Sequence, residues 1–276
     1  MARMQRRNRL CAVRGTPEMS DPIQACAELV AKGDPDRFKA TMAAPLEART
    51  RLLPLYALNL EIARAPWLTE EPMIAEMRLQ FWRDTVEEAA LGKPARAHEI
   101  AQPLAALIQT CKLPVDVLDA MIAARRWDIY KNAHEDTQAF EAYLDDTGGA
   151  LMWCAAIALG AAPTMEDPVR KMGQATALAG LFQAVPDLEA RGRVPLVDGR
   201  PQAVADLARD GLKRIQAARS ARLPKSLWPA LWAGAHAATT LKQVAQDPMR
   251  VANATLMQSD LRKSLRLLRF GTLGGY

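Results

Sequence analysis

From residue 22 onward, one apolar segment of helical spacing follows another, each set off by proline or glycine, and no stretch alternates with the two-residue period of a strand. Helices are expected over residues 22–32, 35–42, 46–65, 72–91, 98–110, 114–130 and 137–159, then 167–186, 202–221, 225–246 and 249–268. Ser20 or Asp21 can cap the first of these, and Pro22 suits its first turn. Pro54 marks either a kink or a later start for the third. In the fourth, Met73, Met77 and Phe81, with Ile74, Trp82 and Val86 alongside, read as the apolar face. Plentiful alanine and only 5% aromatic residues agree with helix. No linker is long enough to separate a second domain. The fold class is therefore all-α, with a single helical domain over residues 19–276 behind an extension over 1–18.

That extension holds most of the charge. The formal net charge is +5, yet Arg3, Arg6, Arg7, Arg9 and Arg14 meet only Glu18 within residues 1–18, leaving about +1 for the remainder. No nucleic-acid partner is expected from so even a balance elsewhere. Residues 1–18 read either as a disordered basic tail or as an upstream stretch ahead of a start at Met19, and they lack the apolar run of a signal peptide. Nothing downstream matches an uninterrupted membrane span. Cys11, Cys26, Cys111 and Cys154 share no ligand-like spacing and read as reduced, buried thiols. The expected location is the cytoplasm, with possible peripheral contact at the inner face of a membrane. Leu261, Leu265, Leu268 and Phe270 alternate with Arg262, Lys263, Arg266 and Arg269. Such a basic amphipathic segment suits either an anionic membrane surface or, as preferred here, packing of its apolar face on the bundle.

Several polar groups stand out against this background. Residues 180–196 run from an apolar helix, expected to stop at Pro186, into a charged turn carrying Asp187, Glu189, Arg191 and Arg193. That turn is either a solvated loop or a rim for phosphate or a lipid headgroup. Asn59 and Glu61 interrupt an apolar helix, so they are either bonded to Arg78 or Arg83 of the next helix or face a ligand. Arg78, Arg83 and Asp84 suit a helix–helix ion network better than a phosphate site. Asp128 reads as a local cap or pair. Asp145 and Asp146 lack metal spacing and precede a break at Gly148-Gly149, while His98, His134 and His236 form no zinc pair. Trp82, Trp153, Trp228 and Trp232 read as core or cavity lining.

Four segments carry a resemblance. They are Leu55-Tyr56-Ala57-Leu58-Asn59-Leu60-Glu61-Ile62-Ala63-Arg64, the run Glu76-Met77-Arg78-Leu79-Gln80-Phe81-Trp82-Arg83-Asp84, Arg126-Trp127-Asp128-Ile129-Tyr130, and Ala190-Arg191-Gly192-Arg193-Val194-Pro195-Leu196. In order and interval they resemble the squalene/phytoene synthase family over residues 20–270 or so. The resemblance implies an isoprenoid-synthase-type bundle of antiparallel helices around a central cavity. In that family two aspartate-rich motifs hold magnesium, which assists departure of diphosphate from a prenyl substrate. Aligned through Tyr56, the first motif's metal positions fall at Ala63 and Trp67, with Arg64 at its second aspartate. Aligned through the arginine–glycine turn, the second falls at Ala184, Asp187 and Leu188, and only Asp187 is an acid. Glu61 lies about 200° round the helix from Ala63 and does not simply substitute.

This pattern is similar to a divergent branch of the family that keeps the surrounding segments, loses the aspartates and is connected with assembly of respiratory complex I. The resemblance therefore implies a non-catalytic protein that binds a prenyl or other lipid, or assists assembly of a respiratory membrane complex through its subunits, with no cofactor. The alternative is an active head-to-head transferase on farnesyl or geranylgeranyl diphosphate, using Mg2+ in an altered site. Candidate ligand-binding residues are Tyr56, Asn59, Glu61, Arg78, Arg83, Asp187, Arg191 and Arg193.

Overall fold

The computed structural model describes residues 22–276. The basic extension, the start at Met19 and a cap at Ser20 or Asp21 lie outside the described residues. Among those described there is no strand. Helix α1 (Pro22–Gly33) gives way to α2 (Pro35–Met42), whose first turn is closed by the Asp34 carboxylate accepting from the Arg37 N–H at 3.0 Å. Helix α3 (Leu46–Arg64) is the hub, and every residue from Leu52 to Leu60 is buried. Pro54 neither delays its start nor interrupts it. Packing on all sides outweighs the one backbone bond that a proline removes.

Helix α4 (Pro72–Ala90) corrects one expectation. Its buried stripe is Ala75, Leu79, Trp82, Val86 and Ala89, whereas Met73 and Met77 are 74% and 66% exposed and Ile74 is exposed too. Small Ala75 and Ala89 complete the helical period and let α4 approach α5 (Ala101–Cys111) and α6 (Val115–Ala124) closely. Trp82 and Val86 are buried as expected, and side-chain size misplaced Met73, Ile74 and Met77. Helix α6 is also shorter than expected, and residues 125–130 form turns.

Helices α7 (Thr137–Leu144) and α8 (Ala150–Ala158) are joined by a π-helical turn, Asp145–Gly149. The expected break at Gly148-Gly149 does not occur; the glycines serve close packing instead. A Cβ at Gly148 would stand 2.5 Å from the carbonyl oxygen of Gly173 on α9 (Glu166–Ala190), and one at Gly173 would overlap the Gly148 carbonyl. Helix α9 also continues through Pro186, contrary to expectation. It ends at Gly192, whose φ of +75° lets its N–H bond the Glu189 carbonyl at 2.9 Å while the Arg193 N–H bonds that of Leu188 at 3.0 Å. This pair of bonds is a Schellman stop, and it turns Arg193 back toward the bundle.

Helix α10 (Pro201–Ser220) packs on α9 and on α12 (Ala237–Gln246). The long helices expected over 225–246 and 249–268 are instead divided. Helix α11 (Trp228–Leu231) is flanked by 3-10 turns, where Gly234 fits against the Thr176 hydroxyl. Helix α13 (Met249–Ala252) stops before Ala254, which has φ +53°, and α14 (Asp260–Leu273) starts afresh with Ser259 as its cap. Of the two main apolar clusters, one gathers α1, α4, α5 and α6 around α3, and the other gathers α10 and α12 around α9.

Candidate functional site

A cavity of about 330 Å³ lies between these two clusters. Helix α3 presents Tyr56, Asn59 and Ala63, and the turn beyond it adds Trp67. Across from them α9 presents Ala177, Leu181, Ala184 and Leu188. Each set follows the three-to-four-residue period that places side chains on one helix face. Alanines and Gly180 leave the space, and the π turn brings Thr147 and Gly148 to the same wall.

A polar cluster closes one side of this wall. Arg125 donates through Nη1 to Asp128 Oδ2 and to the Tyr143 hydroxyl, both at 3.3 Å, and through Nη2 to Asn59 Oδ1 at 3.4 Å. The Tyr143 hydroxyl stands 3.2 Å from both Asp128 carboxylate oxygens. Arg193 donates to the backbone carbonyls of Trp127 and Asp128 and has no carboxylate partner of its own among the described residues. The Arg37 guanidinium lies 5.2 Å from the centre of the Tyr56 ring and pairs with Asp34 at 3.4 Å. Burial pushes the Tyr56 hydroxyl up to about 12 and raises Tyr143 as well, so both stay protonated at neutral pH. Burial also lowers the pKa of Arg193, although a guanidinium remains charged.

Four buried polar atoms around this wall have no hydrogen-bond partner among the described residues: the Tyr56 hydroxyl and the Nε of Arg37, Arg125 and Arg193. Buried donors in that condition call for water or a ligand. The arrangement suits an amphiphile whose anionic end meets guanidinium groups and whose apolar body meets Leu151, Leu181 and Leu188.

The candidates named from sequence separate into two groups. Tyr56, Asn59, Ala63, Trp67, Ala184 and Leu188 line the cavity, and Arg191 and Arg193 stack over the Trp67 ring at 5.0 and 4.8 Å. Glu61, Arg78, Arg83 and Asp187 do not line it. Glu61 faces Arg64 at 3.9 Å, Asp187 and Arg78 are exposed, and Arg83 grips Asp119 of α6 with bonds of 2.5 and 2.9 Å. Asn59 is thus satisfied by Arg125, not by Arg78 or Arg83 as expected. Asp84 and Glu88 share Arg96, and Asp145 is held by Arg170 and Gln174 of α9. Sequence reasoning missed Arg37, Arg125 and Tyr143 and gave Asp128 only a local role. The signal was the Arg126–Tyr130 segment, hidden inside an expected helix that the structure ends at Ala124.

A magnesium cluster needs several hard oxygen ligands. Ala63, Trp67, Ala184 and Leu188 offer none, and Asp128, the carboxylate on the cavity wall, is engaged by Arg125 and Tyr143. Among the described residues no three His, Cys, Asp or Glu side chains converge. The residues present therefore do not fit such a cluster.

Comparison with known proteins places this architecture. Residues 30–198 match the family model for squalene/phytoene synthase. Solved structures with the same fold include a dehydrosqualene synthase in complex with ligand, with a TM-score of 0.73 at 15% identity, covering 91% of this chain and 96% of that one. Squalene synthase HpnC from Alicyclobacillus acidocaldarius aligns with a TM-score of 0.62 at 16% identity, covering 92% and 94%. Among curated relatives, NADH dehydrogenase (ubiquinone) complex I, assembly factor 6 from Rattus norvegicus is 26% identical over 199 residues, which is 70% of this chain and 60% of the relative. The Homo sapiens protein of that name is 25% identical over 170 residues, 61% and 51% respectively. The chain thus spans between half and three fifths of the length of these relatives. A family match over more than half the chain and a shared helical architecture lead to one conclusion: the chain belongs to the squalene/phytoene synthase family.

Proposed function

We propose that this protein is a non-catalytic member of its family that assists assembly of respiratory complex I, its cavity holding a prenyl or other lipid with an anionic end. The observation that carries this reading is the fate of the four motif positions. Ala63 and Trp67 face Ala184 and Leu188 across the cavity and supply no oxygen ligand, while Arg191 and Arg193 stack on Trp67. Relatives named for complex I assembly support the partner side of the reading. The cavity's unpartnered buried donors support the ligand side.

Two measurements test it. Purified protein is incubated with labelled farnesyl and geranylgeranyl diphosphate, with and without magnesium; the expected result is retention of label without magnesium-dependent release of diphosphate. In the native host, deletion of the gene is expected to lower assembled complex I, and an Asp187→Ala copy is expected to restore it. A coupled hydrocarbon product that appears only with magnesium would overturn the reading in favour of an active transferase.

A further inference from the structure

Helix α14 has two opposed faces. On the inner one, Leu267 is buried and Phe270 half-buried against the cluster of Ala44, Ala48 and Trp232. Lys263 pairs with Asp36 at 2.6 Å, and Arg266 donates to the Ala235 carbonyl at 3.3 Å and to Gln258 at 3.1 Å, which fixes the rotation of the helix about its axis. At about 100° per residue, Leu261, Leu265 and Leu268 then fall on the opposite side, within an arc of about 60°. They are 70%, 55% and 62% exposed, and Met257 is exposed just ahead of the helix. The apolar face expected to pack on the bundle is therefore divided: Phe270 packs, and the leucines at 261, 265 and 268 face solvent.

The charge beside this stripe is mainly basic: Asp260, exposed at the start of the helix, faces Lys39 at 3.7 Å. Arg262 and Arg269 lie beside it, exposed, and neither guanidinium makes a hydrogen bond or ion pair with the described residues. No acidic residue follows Asp260. A contiguous exposed apolar stripe marks an interaction surface, and unneutralised arginines at its edge complement an anionic layer of phosphates. No helix among the described residues is long and apolar enough to cross a membrane, so α14 would lie in the interface plane.

We propose that the outer face of α14 docks on an anionic lipid bilayer. Leu261, Leu265 and Leu268 enter the boundary between headgroups and acyl chains, and Arg262 and Arg269 meet lipid phosphates. The inference is independent of what the cavity holds, because α14 does not line it.

The test is sedimentation of the full chain with vesicles of phosphatidylcholine, with and without phosphatidylglycerol. Residues 1–18 carry arginines of their own, so the α14 variants decide the outcome. R262Q/R269Q is expected to weaken binding to anionic vesicles roughly thirtyfold at low salt, taking the usual contribution of each basic residue near such a surface. L265S/L268S is expected to weaken it by at least about tenfold. Both pairs are exposed, so thermal unfolding should match the parent chain and separate lost docking from lost folding. Equal binding to neutral and anionic vesicles, no binding, or variants that bind like the parent would each overturn the proposal. A variant that loses a protein partner while keeping its vesicle affinity would reassign the face to that partner.

Discussion

The motif positions and the polar cluster share one cavity and differ in what holds them. Ala63, Trp67, Ala184 and Leu188, which the resemblance aligns with acids of the family pattern, line the cavity and carry no charge. The group formed by Arg125, Asp128, Tyr143 and Asn59 is buried or half-buried, and it keeps its charges because each answers another. Several clustered carboxylates repel one another unless a cation sits among them, whereas an arginine–aspartate pair carries its own counter-charge. Loss of one set therefore need not disturb the other. The cavity lining here includes the guanidinium groups of Arg37 and Arg125, which can meet an anion.

The sharpest way to break this contrast is Asp128→Ala. Removing the carboxylate leaves Arg125 buried without its partner and should cost about 3–5 kcal/mol in a denaturant titration. An unchanged midpoint would mean that the cluster is a wet surface, and the distinction would fail. Next in size is Gly173→Ala, where the new methyl group meets the Gly148 backbone. It should destabilise by about 1–3 kcal/mol, because a backbone carbonyl cannot swing aside as a side chain can. Gly180→Ala on the same helix has open space and should instead stabilise by about 0.4–1 kcal/mol. Equal effects from the two would show that the π turn does not press on α9.

A third test lies outside the cavity. Burial, aided by the Arg266 guanidinium 3.1 Å from its Nδ1, brings the His236 pKa down to about 4. The native imidazole is neutral and the unfolded one binds a proton below its ordinary value of about 6.5. The stabilising term is thus complete above about 6.5 and is lost as pH falls toward 4, by roughly 1–2 kcal/mol once solvent screening is allowed for. Melting curves across that range should slope downward with acid, and His236→Gln should flatten the slope. The smallest effect expected is none: millimolar magnesium should leave the melting temperature of the parent chain unchanged. A rise would reveal binding to the folded state and return the metal to the cavity.

Much of the architecture was legible in advance because it depends on local rules. Proline at helix starts and the helical spacing of apolar residues follow from backbone geometry and helical period. The all-α class needed nothing more, whereas Ala63, Trp67, Ala184 and Leu188 were singled out through the resemblance to the family. Local rules failed where packing overruled them. Pro54 and Pro186 did not stop their helices, because surrounding contacts outweigh one missing backbone bond. Gly148-Gly149 became a contact between helices, and not a break, since Gly173 and Ala177 of the distant α9 leave no room for a side chain at Gly148.

The sequence by itself determined that this chain builds a helical bundle, since that depends on residue type and spacing, and the resemblance it carries sets Ala63, Trp67, Ala184 and Leu188 where the family pattern has acids. Tertiary structure decided which charges meet. Asn59, Arg125 and Tyr143 are far apart along the chain, and nothing local says that one guanidinium will serve both partners. It also decided which leucines of α14 are left facing water, because the rotation of that helix is set by Asp36, Ala235 and Gln258 from elsewhere in the chain. Burial and long-range pairing are properties of the assembled bundle, and they assign these residues their roles.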